Sequence, residues 1–386
     1  MTATHDGGLA LVLSGGGARA AYQIGLLARV AEELPDLEVE VLTGVSAGAL
    51  NAAYLAAREG NLSERLASLT RVWSRIRVED VLDADTGTLG GGVVAWGSRL
   101  MGGGKLKLLS ASGLVGTEPL ANLMRDVLNV GHNDSPIPSI ASALENSPLR
   151  AVAVTGSSYT TGRSVTWIQA NAEDHRWQSW ERPTRVGVTA PITVDRILAS
   201  ASLPFLFPAV NVDGQWFGDG GIRLIAPLSP AVHLGASKVL AVTTRYAKTD
   251  AEAAQAQVDD YPPPIQIGGS LLNAVFLDSF DQDALTMQRI NHLTSRLPKE
   301  ERAGLRPIGL LVLRPSMDLG ALANDYEFRL PKPLRFMVRG LGTRETRSND
   351  LLSLIMFQED YLHALLDLGR ADAEAQLEPI LTFLQA

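Results

Sequence analysis

The sequence predicts an α/β fold, with a mainly parallel central sheet and helices on both faces. Three observations lead there. Short continuous apolar runs, the mark of strands buried on both sides, recur at Leu9–Leu13, Ala151–Val154 and Ile308–Leu313. Longer stretches of helical periodicity alternate with them. Two strand-to-helix junctions are rich in glycine, as expected where loops leave the carboxyl edge of neighbouring parallel strands.

The 386 residues suffice for one large α/β domain. We expect a single domain over residues 1–386, with a core over about 9–240 and a C-terminal helix-and-strand extension over 245–386. Formal net charge is −8, which argues against a nucleic-acid partner and against docking to anionic lipid by bulk charge. Cysteine is absent, so there is no disulfide framework, thiol nucleophile or cysteine-bound metal. No run approaches the roughly 18 apolar residues of a membrane span, and the start lacks a basic n-region. A cytoplasmic location is expected, with contact at a membrane surface left open.

Leu9–Leu13 is the first strand, and Ser14-Gly15-Gly16-Gly17-Ala18-Arg19-Ala20 follows at once. Three glycines at such a turn leave backbone N–H groups bare and converging, which makes an anion cradle. Gly15-x-Gly17-x-x-Ala20 also satisfies the dinucleotide fingerprint, with Glu38 or Glu40 at the distance of a ribose-binding acid. The same N–H groups suit an oxyanion hole. Ala20–Leu34 reads as a helix, with Ile24, Leu27 and Ala28 on one face.

Val39–Leu42 is the second strand and Ala47–Arg58 the next helix. Between them Gly44-Val45-Ser46-Ala47-Gly48 spells G-x-S-x-G, a nucleophile elbow in the context that such an elbow requires. Ser46 is the candidate nucleophile. Gly44 and Gly48 stand where a side chain would collide with neighbouring backbone. A dinucleotide site would end this strand in an acid; a serine elbow beside the cradle favours a hydrolase.

Asn61–Arg77 carries a core-facing helical stripe. Thr86–Ser110 interleaves eight glycines with apolar residues, which suits a flap over an apolar pocket, a surface dipping into lipid, or a loop packed on the body. Glu118–Asn129 and Ser139–Glu145 are helical, Leu149–Thr155 is a buried strand, and Gly162–Ala170 is a strand able to pair with it. Glu173–Arg185, with Trp177 and Trp180, reads as a surface excursion. Thr193–Ser202 is a helix, and Phe205 and Phe207 after it are packing or pocket residues.

Asp213-Gly214 between alternating residues signals a hairpin, which delivers Asp219 onto a Gly220-Gly221 turn. Taken alone, that Asp-Gly pair is an ordinary turn. Lys238–Thr243 is a further strand. Beyond it come an acidic excursion over Asp250–Asp260, a helical stretch over Leu271–Leu297 and a last buried strand over Pro307–Arg314. Leu334–Arg339 is short and basic, with Phe336 and Met337 as exposed interface candidates, and Leu351–Leu368 and Asp372–Leu384 close the chain.

Gly15-Gly16-Gly17-Ala18-Arg19, then Gly44 to Gly48, then Asp219-Gly220-Gly221, in this order and spacing, resemble the patatin-like phospholipase family. Ala201–Pro208, read as an Ala-Ser-x-x-x-Pro-x-x-Phe-Pro approach to the acid, resembles its bacterial members. Ala20 departs from the family's usual glycine. The resemblance covers residues 9–240. It implies a patatin-like variant of the α/β hydrolase architecture and a Ser–Asp dyad. Ser46 would be the nucleophile and Asp219 the base. Backbone N–H groups of Gly15, Gly16 and Gly17 would form the oxyanion hole, with Arg19 steadying it. The implied substrate is a lipid carboxylic ester, most simply a phospholipid or lysophospholipid, with no cofactor and no metal.

An aspartate with an ordinary pKa of about 3.9 is a poor base at neutral pH, so a histidine triad stays open. His233, His292 and His363 follow the serine in hydrolase order, but none has glycine neighbours in a loop. No His/Asp/Glu spacing makes a metal-ligand set. A non-catalytic lipid-binding protein of the same fold is the alternative function, and a nucleotide-dependent oxidoreductase a distant one.

Overall fold

In the computed structural model, residues 8–83, 115–174, 179–204, 206–258, 261–276 and 278–386 are described. Within them ten strands form one sheet in the order β10-β9-β1-β2-β3-β4-β6-β5, with the β7–β8 hairpin joined to β3. The strands are β1 (Leu9–Leu13), β2 (Val41–Val45), β3 (Ala151–Ser158), β4 (Ser164–Ala170), β5 (Glu181–Arg182), β6 (Arg185–Thr189), β7 (Val210–Val212), β8 (Gln215–Gly218), β9 (Lys238–Val242) and β10 (Gly309–Leu313). The run β10-β9-β1-β2-β3 is parallel throughout, and β4 joins β3 antiparallel.

The apolar runs do what strands buried on both faces require. Leu9, Leu11 and Leu13 of β1 face one core, and Ala10 and Val12 face the other. Seven helices build the surroundings of the site: α1 (Ala21–Glu33), α2 (Ala47–Ala57), α3 (Leu62–Trp73), α4 (Glu118–Leu128), α5 (Val194–Ala201), α6 (Asp350–Ile355) and α7 (Glu359–Ala375). Asn61 starts α3 as a capping box with Glu64. Helix α7 lays buried Leu362, Leu365 and Leu366 into the same core as α1, so the C-terminal region shares the core of the first strands.

Several elements differ from the sequence reading. The second strand is Val41–Val45 rather than Val39–Leu42; it runs through Gly44, so Ser46 follows the last strand residue directly. The first helical turn after the cradle is a tight one over Gly17–Ala20, and α1 proper begins at Ala21. Helix is described over Pro264–Phe276 and Asp278–Arg296, and Pro264 stands at the first helical position, where its missing N–H is harmless. The stretch 351–368 breaks, with α6 ending at Ile355 and α7 starting at Glu359.

Strand β10 is half-buried rather than buried, because β9 is its partner on one side only. Trp180 is not a surface residue. It is buried and stacks face to face on His233 at 4.5 Å between ring centroids. Leu285 and Phe336 are exposed, while Met337 packs against the core. The Gly-rich stretch 86–110, Trp177 and Phe205 lie outside the described residues.

Candidate active site

Strands β1, β2 and β9 end side by side, and their carboxyl ends deliver Ser14-Gly15, Ser46 and Thr243-Thr244 to one edge of the sheet. That edge is where an open parallel sheet presents its loops. Ser46 caps α2 with φ 56° and ψ −130°, a conformation that side chains rarely adopt. The elbow is this tight because nothing intervenes. A Cβ on Gly44 would lie 2.2 Å from the Gly48 carbonyl oxygen, and one on Gly48 would lie 2.3 Å from that of Leu13. Both glycines thus let α2 start hard against β1 and β2.

The glycine cradle folds over the serine. The α-carbon of Gly15 faces Ser46 so closely that a Cβ there would lie 3.0 Å from the Ser46 Cβ. Gly17 lines the same cleft as Ser46, and Gly16 packs on Thr244. The backbone N–H groups of Gly15, Gly16, Gly17 and Ala47 donate to no acceptor among the described residues. The Gly15 carbonyl, by contrast, is held by the hydroxyls of Ser14 (3.1 Å) and Thr244 (2.7 Å).

Arg19 does not face Ser46. Its guanidinium is buried and turns to α6, donating to Ser353 Oγ (2.6 Å), the Asp350 carbonyl (3.1 Å) and Asp350 Oδ1 (2.7 Å). It ties the cradle to a segment more than 300 residues away. Arg19→Met is therefore expected to destabilise the protein by about 2–4 kcal/mol. Urea unfolding checks this; a wild-type midpoint would remove the bracing role.

Asp219 arrives from the β7–β8 hairpin, whose Asp213 (φ 51°) and Gly214 (φ 79°) make the two-residue turn that the sequence signals. Its N–H donates to the Ser202 carbonyl at 2.8 Å. The Gly221 N–H donates to Asp219 Oδ1 at 2.9 Å. Gly220 has no room for a side chain, since a Cβ would sit 2.0 Å from the Thr155 carbonyl oxygen on β3. Asp219 is wholly buried, and burial pushes its carboxyl up to about 7; the approach of the Ser46 hydroxyl and the Gly221 N–H offset part of that rise. Oδ2 has no hydrogen bond of good geometry among the described residues.

One residue at this centre went unmarked in the sequence. Ser200, fully buried on α5, accepts the Ser46 N–H at 2.9 Å and donates to the Thr155 carbonyl at 2.6 Å. The motif approaching the acid begins at Ala199, not Ala201, so that Ser200 and Pro204 fill its Ala-Ser-x-x-x-Pro spacing. The last turn of α5 thereby holds the backbone of Ser46 through Ser200, and that of Asp219 through Ser202.

An apolar cleft opens at Ser46. Helices α2, α3 and α4 form its walls, and Phe207 and Phe357 also line it. Phe205 lies outside the described residues. Among the described residues no histidine lines the cleft. His233 is engaged with Trp180, and burial, then Arg185 and Arg182, hold its pKa down. Among the described residues no helix is long and apolar enough to cross a membrane.

No curated protein matches the sequence. Among solved structures, the chain is similar to human GIVD cytosolic phospholipase A2 in complex with methyl gamma-linolenyl fluorophosphonate, at 13% identity and a TM-score of 0.44, covering 98% of this chain and 59% of that one. It is also similar to VipD from Legionella pneumophila, at 12% identity and a TM-score of 0.35, covering 94% and 67%. The chain thus spans about three fifths to two thirds of the length of these structures. The family model described as patatin-like phospholipase matches residues 11–232, more than half of the chain. That span holds Ser46, Asp219 and, among the described residues, all that line the cleft except Phe357. This protein is a member of the patatin-like phospholipase family.

Proposed function

We propose that the protein is a serine acyl hydrolase that cleaves lipid carboxylic esters through an acyl-enzyme on Ser46, with Asp219 as the base. The observation that carries this reading is the meeting of a strained serine and a buried aspartate at the head of an apolar cleft. Burial answers the objection that aspartate is too weak a base, because a carboxylate of pKa about 7 can take a proton near neutral pH. Its loosely held Oδ2 is the oxygen free to do so, and such bonds tighten only once substrate is bound.

The Ser46 hydroxyl passes its proton to Asp219 while Oγ attacks the ester carbonyl carbon. The negative oxygen of the tetrahedral intermediate is met by the bare N–H groups of Gly15, Gly16, Gly17 and Ala47, and by the positive end of α2. Asp219 returns the proton to the departing alcohol, leaving the acyl group on Ser46. Water, activated by Asp219, then releases the fatty acid. The apolar walls suit an acyl chain, and they make phospholipid and lysophospholipid esters the natural substrate class. Beyond the glycine cradle the same apolar walls oppose a dinucleotide, whose riboses would lose water there with few polar partners in return.

The test uses p-nitrophenyl butyrate and an alkyl fluorophosphonate. Hydrolysis is expected, with a single phosphonate adduct on the peptide bearing Ser46 and activity lost in step with labelling. An adduct elsewhere, or hydrolysis that survives complete labelling of Ser46, would sink the assignment. Tight fatty-acid binding without any labelling would favour the non-catalytic lipid binder instead.

A further inference from the structure

We propose that Tyr54 is a stop that sets the length of the acyl chain, so that this protein prefers medium-chain esters of about ten carbons. The inference rests on the acyl-hydrolase reading above and adds to it the substrate's size. It starts from the stripe that α2 presents to the cleft: Ser46, Ala47, Leu50, Asn51 and Tyr54. From Ser46 to Tyr54 is eight helical residues, about 12 Å along the axis. Extended backbone advances 3.3–3.6 Å per three bonds, roughly 1.2 Å per bond, so a chain lying along α2 reaches Tyr54 after about ten bonds.

The other walls run in the same frame. Tyr54 Oη hydrogen-bonds Ser68 Oγ at 2.9 Å, and the Trp73 indole N–H reaches Asn51, so the middle of α3 lies at Tyr54 and its last residue toward Ser46. Helix α4 runs the other way. Arg58 donates to the Val127 carbonyl at 2.9 Å beside Tyr54, while Leu120 lies toward the segment that meets Leu206. Among the described residues, Tyr54 and Arg58 stand across the far end. Tyr54 is 2% exposed, and the Arg58 guanidinium lies 4.9 Å over its ring centroid. A charged group behind an aromatic plate is no place for further methylenes.

The amide in this wall, Asn51, does not spoil the lining. Asn51 gives its amide to Gln23 Oε1 (3.1 Å) and the Ala20 carbonyl (3.4 Å), and its oxygen accepts the Trp73 indole N–H at 2.8 Å. With its hydrogen bonds met inside the wall, Asn51 asks nothing of a ligand. The cleft therefore recognises an alkyl chain by contact and by length.

The test is kcat/KM for p-nitrophenyl butyrate, decanoate and palmitate, each referred to the decanoate value of the same protein. In the wild type palmitate should fall about tenfold or more below decanoate, because methylenes beyond the stop must leave the cleft. Tyr54→Ala opens the end and should raise the palmitate-to-decanoate ratio about tenfold or more. Leu50→Phe fills the middle and should move the optimum to butyrate. It also decides the matter if Tyr54→Ala fails to fold.

Wild-type rates equal on palmitate and decanoate, or ratios unmoved in a folded variant, overturn the stop. Ser46-dependent butyrate hydrolysis with a flat length profile removes this inference alone. No hydrolysis of butyrate at all removes the acyl-hydrolase reading with it.

Discussion

Asp219→Asn should abolish ester hydrolysis and at the same time make the protein more stable at alkaline pH. Removing a general base costs about 10²–10⁴ in rate. The stability gain follows from burial. The folded carboxyl titrates at about 7 against an ordinary 3.8, so the fold prefers the protonated acid. Below pH 3.8 both states carry the proton and nothing is lost. As pH rises from there through about 7 the unfolded chain ionises and the folded one does not, and stability drains away. The gap between 3.8 and about 7 is on the order of 4 kcal/mol when complete.

Asparagine is neutral at every pH. Its oxygen can accept the Gly221 N–H as Asp219 does, and its amide can donate to Ser46 Oγ. The variant's advantage in urea unfolding should therefore grow from pH 5 to pH 8. Wild-type kcat/KM should climb with pH and level off above about 7 as Asp219 ionises. An advantage that is flat with pH, or activity that peaks well below pH 7, would contradict the buried base.

Ser46→Ala and Ser46→Gly should both lose about 10⁴-fold or more in kcat/KM, yet they should part company in stability. At φ 56° and ψ −130° a Cβ is strained, and alanine keeps the strain. Glycine relieves it and should melt higher, with about 1–3 kcal/mol separating the two. Paired thermal melts with residual rates make the comparison. Equal melting temperatures would mean that the elbow stores no strain, and a fast Ser46→Ala enzyme would place the nucleophile elsewhere.

What was legible in the sequence was local. The continuous apolar run of β1, the Asp213-Gly214 turn and the glycine-flanked Ser46 each state their conformation within five or six residues. The order of strands and helices was enough for a mainly parallel sheet with helices on both faces. Contacts that join distant segments were not legible. Arg19 looks like a cradle residue until its partners Asp350 and Ser353 are seen. Ser200 is one more small residue in an Ala-rich helix, and the spacing to Pro204 was the signal that could have marked it. Trp180 lies in a polar stretch, and only folding brings His233 against it. Tyr54 follows the helical period of α2, so its pattern reads as core packing. Its place at the end of a cleft depends on α3 and α4.

Phe357 also has a consequence for the order in which the protein becomes able to act. Its ring stacks on Trp73 at 6.5 Å, and the Leu354 carbonyl oxygen backs Gly17 so closely that a Cβ there would lie 2.1 Å from it. A chain growing from its N-terminus carries the nucleophile and the base by residue 219, but the wall and the brace arrive only with residues 350–357. During synthesis the site is thus a half-built vessel, and full hydrolytic competence should appear late, when the last helices dock. Stalled nascent chains ending before residue 350 should show little butyrate hydrolysis, whereas chains that expose residue 375 should have it.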